Sequence, residues 1–223
     1  MLISLKFRKV RKLKNVIFLL ALLKLCFIFG QDLQTKNIIV IDPGHGGKDT
    51  GAIGANNIQE KDVALRIAKE IIILNHTLLN NKFEVYSTRY KDTLISLSKR
   101  SRLAKNLKAD IFVSLHCNAA KASSRGIEVY VHHSSKHNIK ESIALSLSVL
   151  NEITQKLGLK KRGIKFADFQ VIRKNTTLSP AILVEMGFIT NLDEADYFLK
   201  TKNIRAIALA ILLGIINYLN TIL

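Results

Sequence analysis

Apolar strands that alternate with one-sided helices leave a chain few ways to fold. From residue 37 onward this sequence keeps up that alternation. Asn37–Ile41 (NIIVI) is a short β-branched run that reads as a buried strand, and Asp42-Pro43-Gly44-His45-Gly46-Gly47 ends it in a glycine-rich loop. Glu60–Leu79 places Val63, Ile67, Ile71, Leu74 and Leu78 at helical spacing. The spacing then predicts a strand over Phe83–Thr88, a helix over Leu97–Leu107, and strands over Ile111–Leu115 and Ile127–Val131. A helix over Ile139–Leu157, strands over Phe169–Ile172 and Ala181–Glu185, and an apolar helix over Ile204–Leu219 complete the series. The longest unbroken apolar stretch of that last helix is too short to span a bilayer, so it is expected to pack on the sheet. The pattern predicts a single-domain α/β fold: a mostly parallel twisted sheet with helices on both faces. In such sheets ligands gather at the carboxyl ends of the strands.

Charge divides the chain differently. Of the net +17, residues 1–30 carry seven cations and no acid, which leaves +10 on residues 31–223. A cationic stretch to Asn15 followed by the apolar run Val16–Gly30, broken by Lys24, reads as a secretory signal peptide cut after Gly30. Ile28 is not the small residue usual before such a cut, so an uncleaved anchor is the alternative. Lipidation at Cys26 fits poorly after Lys24-Leu25. Each reading exports the body, residues 31–223, to the periplasm or cell envelope. Its scattered lysines suit an anionic envelope surface. No basic stripe interleaved with aromatics and no helix-turn-helix, RRM or OB pattern occurs there, so nucleic acid is not expected as a partner. Two cysteines, Cys26 and Cys117, cannot build a disulfide framework.

Strand ends deliver polar residues that a core would not take. His45 follows the first strand, His116 follows Ile111–Leu115, Glu185 ends Ala181–Glu185, and Glu60 opens the first long helix. Two histidines and a carboxylate form a common three-ligand zinc set that leaves one position open, and a second carboxylate can take a water's proton. Taken singly, each has a plainer explanation. His116 reads as a hydrogen-bonded strand-end histidine, Glu60 as a helix N-terminal acid, and the loop at His45 as a tight turn. Glu185 is the hardest to explain so, at the end of a wholly apolar strand. The pair His132-His133 reads as exposed at a strand end.

Five ordered segments carry a resemblance. Ile39–Ile53 (IVIDPGHGGKDTGAI), Gln59–Asp62 (QEKD), Ser87–Asp92 with Leu97–Arg100, Phe112–Ala119 (FVSLHCNA) and Leu183–Asn191 (LVEMGFITN) resemble the zinc-dependent N-acetylmuramoyl-L-alanine amidases, the family 3 catalytic domain. The likeness runs from about Asn37 to Tyr218. It implies one zinc ion per chain on His45, Glu60 and His116, with Glu185 as the catalytic general base. It further implies hydrolysis of the amide between N-acetylmuramic acid and the L-alanine of peptidoglycan stem peptides. Asn118 is a candidate substrate contact and Asp42 a candidate for orienting a ligand. Cys117 stands where the family more often has alanine. A zinc peptidase and a non-catalytic peptidoglycan-binding module are the alternative functions.

Some relatives that act in cell division carry, by the same resemblance, a helix after the strand equivalent to Ile127–Val131 that plugs the site until an activator removes it. Here only His132–Asn138 separate that strand from the next helix. Seven residues cannot hold a helix and two connections. The expectation is an open site that requires no activator protein.

Overall fold

The computed structural model describes residues 36–133 and 138–222, together with 16 and 18–20. Met1–Thr35 and Lys36–Leu223 are separate units. The expected signal peptide or anchor falls outside the described residues, apart from the helical, exposed Val16, Phe18, Leu19 and Leu20.

Six strands form one sheet in the body. They are β1 (Ile38–Pro43), β2 (Glu84–Ser87), β3 (Ile111–Asn118), β4 (Ile127–Val131), β5 (Lys161–Phe166) and β6 (Ala181–Phe188). Their order is β2-β1-β3-β6-β4-β5. Neighbours are parallel except at β4/β6, where the pair β4–β5 runs the other way. The α-helices among the described residues of the body are α1 (Glu60–Thr77), α2 (Leu97–Leu107), α3 (Ile139–Leu157), α4 (Gln170–Thr176), α5 (Leu192–Leu199) and α6 (Thr201–Ile222).

Side-chain alternation sorts the sheet into two faces. Ile39, Ile41, Val113, Leu115, Val129, Ile182 and Val184 point into the larger core with α1, α3 and α6. Val40, Phe112, Ala181 and Leu183 form the smaller core with Ala104 of α2 and with Val171 and Ile172 of α4. Helices therefore cover both faces, as the alternation predicts.

The sequence reading needs two corrections. Phe169–Ile172 is not a strand, because α4 begins at Gln170. Val171 and Asn175, and Ile172 and Thr176, are buried four residues apart, on one helical face. The strand is instead β5, Lys161–Phe166 (KRGIKF), whose cations hide it from a hydropathy pattern. Lysines are a usual way to blunt an edge strand such as this one. In addition, β3 runs on to Asn118 and β6 to Phe188, so His116 and Glu185 lie within strands rather than at their ends.

Helix α6 is long and apolar enough to cross a membrane by length and composition. Here it buries Ile204, Ile207, Ile211 and Ile215, with α1 and α3 as its main partners. Gly214 sets the approach of α6 to α3. A Cβ there would stand 2.6 Å from the Cα of Val149, and the Ser148 hydroxyl donates to the Gly214 carbonyl at 2.7 Å. Alanine favours a helix by about 1 kcal/mol over glycine. We expect Gly214→Ala nonetheless to cost about 1–3 kcal/mol, because backbone atoms must separate. A lowered melting temperature in calorimetry is the expected result, and an unchanged or raised one would contradict this packing.

Candidate metal centre

The smaller face changes character along its strands. Val40 is followed by Asp42, Phe112 by Ser114 and His116, and Leu183 by Glu185, each two residues on and so on the same face. Strands β1, β3 and β6 are mutually parallel, so this polar edge gathers at one end of the sheet. His116 and Glu185 are register partners across β3 and β6.

Beyond β1 the chain turns through Gly44 to His45, which holds a left-handed φ of 58°. Close packing explains the glycines here. A Cβ on Gly44 would lie 2.3 Å from the His116 ring, and one on Gly51 would lie 2.5 Å from the Glu60 carboxylate. Two buried arginines hold the loop. Arg89 donates to the Pro43 and Gly44 carbonyls, and Arg100 donates to those of Pro43 and His45.

Glu60 opens α1, where the helix dipole favours a negative charge. Its side chain is buried. One carboxylate oxygen lies 2.8 Å from Nδ1 of His116 and 3.1 Å from Nε2 of His45, and it accepts the Cys117 amide at 3.1 Å. The other oxygen accepts the Ala52 amide at 2.9 Å. Burial alone would raise its pKa, but the two histidines reverse that and hold it well below the usual carboxylate range. The opposite holds for His45. Burial lowers its pKa, Glu60 and Asp49 raise it, and the net shift is upward.

One donor atom from each of His45, Glu60 and His116 fits within 4.8 Å of the others. The donor set suits a divalent ion such as zinc, which takes two imidazoles and a carboxylate and leaves a position open. Asp49 lies 2.9 Å from Nδ1 of His45, which fixes the ring and leaves Nε2 facing Glu60. Asp42 touches none of the three. Its carboxylate pairs with Arg100 at 2.7 Å and accepts from Thr88 and Ser114, so it reaches His45 only through the loop that Arg100 binds. The carboxylate against Nδ1 of His45 is that of Asp49.

Glu185 faces this cluster with a different electrostatic character. Its Oε2 is shielded from solvent and has no hydrogen-bond partner among the described residues. Burial first, then the carboxylates of Glu60 and Glu128, push its pKa up to about 7. Asn118, also predicted at the site, is already engaged. Its amide nitrogen donates to Glu128 at 2.7 Å and its oxygen accepts the Ala119 amide. Glu128, which the sequence reading passed over, is buried on β4 directly opposite Glu185 in register. The one signal for it was an acid sharing the Tyr130 face of the apolar strand IEVYV. Cys117 is buried beside His116, and its thiol pKa is raised well above the ordinary value. Of the histidine pair, His132 is partly buried, its side chain 19% exposed, and His133 packs edge-on against Phe166.

An open α/β sheet that brings two imidazoles, a low-pKa carboxylate and a high-pKa carboxyl to one edge is an arrangement suited to metal-dependent hydrolysis. Comparison with known proteins narrows the class. The family profile described as N-acetylmuramoyl-L-alanine amidase matches residues 39–217. The endolysin of Bacillus phage SPP1 is 38% identical over 191 residues, covering 83% of this chain and 67% of the endolysin. The N-acetylmuramoyl-L-alanine amidase LytC of Bacillus subtilis is 38% identical over 170 residues, covering 73% of this chain and 32% of LytC. The solved amidase AmiC2 of Nostoc punctiforme superposes with a TM-score of 0.75 at 34% identity, covering 83% of this chain and 98% of that one. The chain belongs to the N-acetylmuramoyl-L-alanine amidase family.

The Glu185 environment has a consequence for stability. Its folded pKa lies above the free value of 4.5. The group's contribution is therefore complete below about pH 4.5 and is lost as pH rises through about 7. In metal-free protein the loss amounts to about 3 kcal/mol. Glu185→Gln should melt like the parent at about pH 4.5 and above it at about pH 8. A difference in melting temperature that does not grow with pH would contradict the buried, protonated carboxyl.

Proposed function

We propose that this chain is a peptidoglycan hydrolase that cleaves the amide between the lactyl carbonyl of N-acetylmuramic acid and L-alanine. The observation that carries the reading is the His45–Glu60–His116 cluster beside an unpartnered, high-pKa Glu185, within a chain that matches the amidase family almost throughout. His45, Glu60 and His116 are assigned to hold one zinc ion per chain, which when bound supplies Lewis acidity toward the scissile carbonyl and the attacking water. Asp49 keeps His45 in the tautomer that presents Nε2. Glu185 accepts the proton of the attacking water and hands it to the departing alanine nitrogen, a role suited to a carboxyl that titrates near neutrality. The remaining amide hydrogen of Asn118 is available to a substrate carbonyl. Asp42 with Arg100 stiffens the loop that carries His45.

Residues 1–30 are assigned to export, as a cleaved signal or an anchor, which puts the body in the periplasm or cell envelope. Its net positive charge favours encounter with anionic envelope polymers without choosing the bond to be cut. The short connection from Val131 to Ile139 supports activity without an activator protein. Residues 134–137 of that connection lie outside those described.

Mass analysis of fragments released from purified peptidoglycan is the deciding test. The zinc-loaded protein should release intact stem peptides with a free amine on their N-terminal L-alanine, and a chelator should stop the release. Cuts within the peptide would instead indicate a peptidase, and binding without cutting a non-catalytic module. His116→Ala should lose most of its zinc by elemental analysis, and stoichiometric zinc in that variant would overturn the ligand assignment. Glu185→Gln should keep zinc and fold while turnover drops roughly 10²–10⁴-fold. Near-normal turnover in the loaded variant would remove Glu185 from the mechanism.

A further inference from the structure

The row that begins at the metal centre does not end at Glu185. His116 on β3, Glu185 on β6 and Glu128 on β4 are consecutive register partners. Glu128 pairs in turn with Gly163 on the edge strand β5. From that strand two cations fold back onto Glu128, which is itself 1% exposed. Arg162 Nε donates at 2.7 Å and Lys165 Nζ at 2.6 Å, both to the same oxygen. The other oxygen accepts from Asn118 at 2.7 Å and from the Tyr130 hydroxyl at 2.8 Å.

Charge does not balance in this cluster. One carboxylate faces two cations, and neither cation bonds Glu185 among the described contacts. Both cations keep donors to spare. The Arg162 side chain is 30% exposed and that of Lys165 is 40% exposed. Arg162 Nη2 has no partner among the described residues, and Lys165 has used one of its three ammonium hydrogens. The Arg162 guanidinium also lies over the Phe188 ring at 4.6 Å, a second contact that restrains it. A rigid, half-exposed pair with a surplus positive charge suits an anion, and a planar guanidinium suits a carboxylate.

We propose that Arg162 and Lys165, anchored by Glu128, form a subsite for a carboxylate of the stem peptide. The proposal rests on the peptidoglycan reading above. Its reach can be gauged. Glu128 stands one strand spacing from Glu185, about 4.8 Å, and a hydrogen-bond length of about 3 Å beyond it reaches the cations. An extended peptide covers about 3.5 Å per residue. The group that arrives is therefore carried by the second residue beyond the scissile amide. In peptidoglycan that residue is a γ-linked glutamate, whose α-carboxyl is a free acid in some walls and an amide in others. The subsite selects the acid.

The test is a binding measurement, so it does not depend on turnover. Zinc-loaded full-length Glu185→Gln protein, which leaves its ligand intact, is titrated calorimetrically with two muramoyl tripeptides. They differ only in whether the α-carboxyl of the second residue is an acid or an amide. The acid should bind roughly tenfold tighter, the scale of one partly exposed charge-assisted hydrogen bond. Adding Arg162→Gln should bring the ratio to about one. Lys165 still pairs with Glu128 in that variant, so the fold should be retained. The triple change Glu128→Gln, Arg162→Gln and Lys165→Gln removes all three charges and should also abolish the preference. Equal affinity for acid and amide in the parent, or an acid preference that survives both sets of changes, overturns the subsite and leaves the amidase reading standing. Binding of neither tripeptide, together with no peptide release from peptidoglycan by the unmutated chain, overturns both.

Discussion

A single buried carboxylate holds the candidate site together. Glu60 takes an amide from the glycine-rich loop and another from β3, and it meets one histidine from each of those segments. Removing a charged carboxylate from water costs several kcal/mol unless such partners replace the lost solvent. The start of α1, the loop after β1 and strand β3 are therefore tied to one point. The glycines follow from that tie, since Gly44 and Gly51 lie where any side chain would strike His116 or Glu60. The arginines serve it as well, because Arg89 and Arg100 occupy the carbonyls of the turn that presents His45.

Electrostatics then separates two acids on the same edge. Glu60 is surrounded by donors and stays ionised, while Glu185 has an oxygen with none and is driven toward its neutral form. Neighbouring carboxyls pushed apart in this way can take the different roles of holding a cation and moving a proton. Glu128 adds a third behaviour. Burial would raise its pKa, but Lys165, Arg162 and Tyr130 pull it down, and the same contact with burial pushes the Tyr130 hydroxyl up to about 12. The three acids thus differ through their surroundings, Glu60 and Glu128 through the donors around them and Glu185 through burial without a partner for Oε2.

Much of this could be read from the sequence where the signal was local. The α/β alternation, the helices over Leu97–Leu107 and Ile139–Leu157, and the strand Ile127–Val131 stand in the structure at the expected bounds. His45, Glu60 and His116 were picked out singly as polar residues at element ends, and the fold brings them within reach of one another. What escaped depended on distant partners or on mixed patterns. Strand β5 exposes cations on a sheet edge, so it lacks the apolar run that marks a strand. Helix α4 is seven residues long and presents one short apolar pair, which reads equally well as extended chain. The Arg100 pair with Asp42 spans 58 residues and the Arg162 pair with Glu128 spans 34, distances at which no spacing rule operates.

The sheet order also bears on how the molecule comes into being. Strand β6 is the last in the chain, yet it lies between β3 and β4, near the middle of the sheet. Until residues 181–188 arrive, β2-β1-β3 and β4–β5 have no shared strand to join them. Long-range parallel pairing of this kind is slow to form. A chain still emerging from a ribosome or a translocon would already hold His45, Glu60 and His116, but it would lack Glu185. On the proposed assignment, hydrolytic competence waits for the arrival of β6, and a product truncated before it would carry the three residues assigned to the cation without the one assigned to the proton.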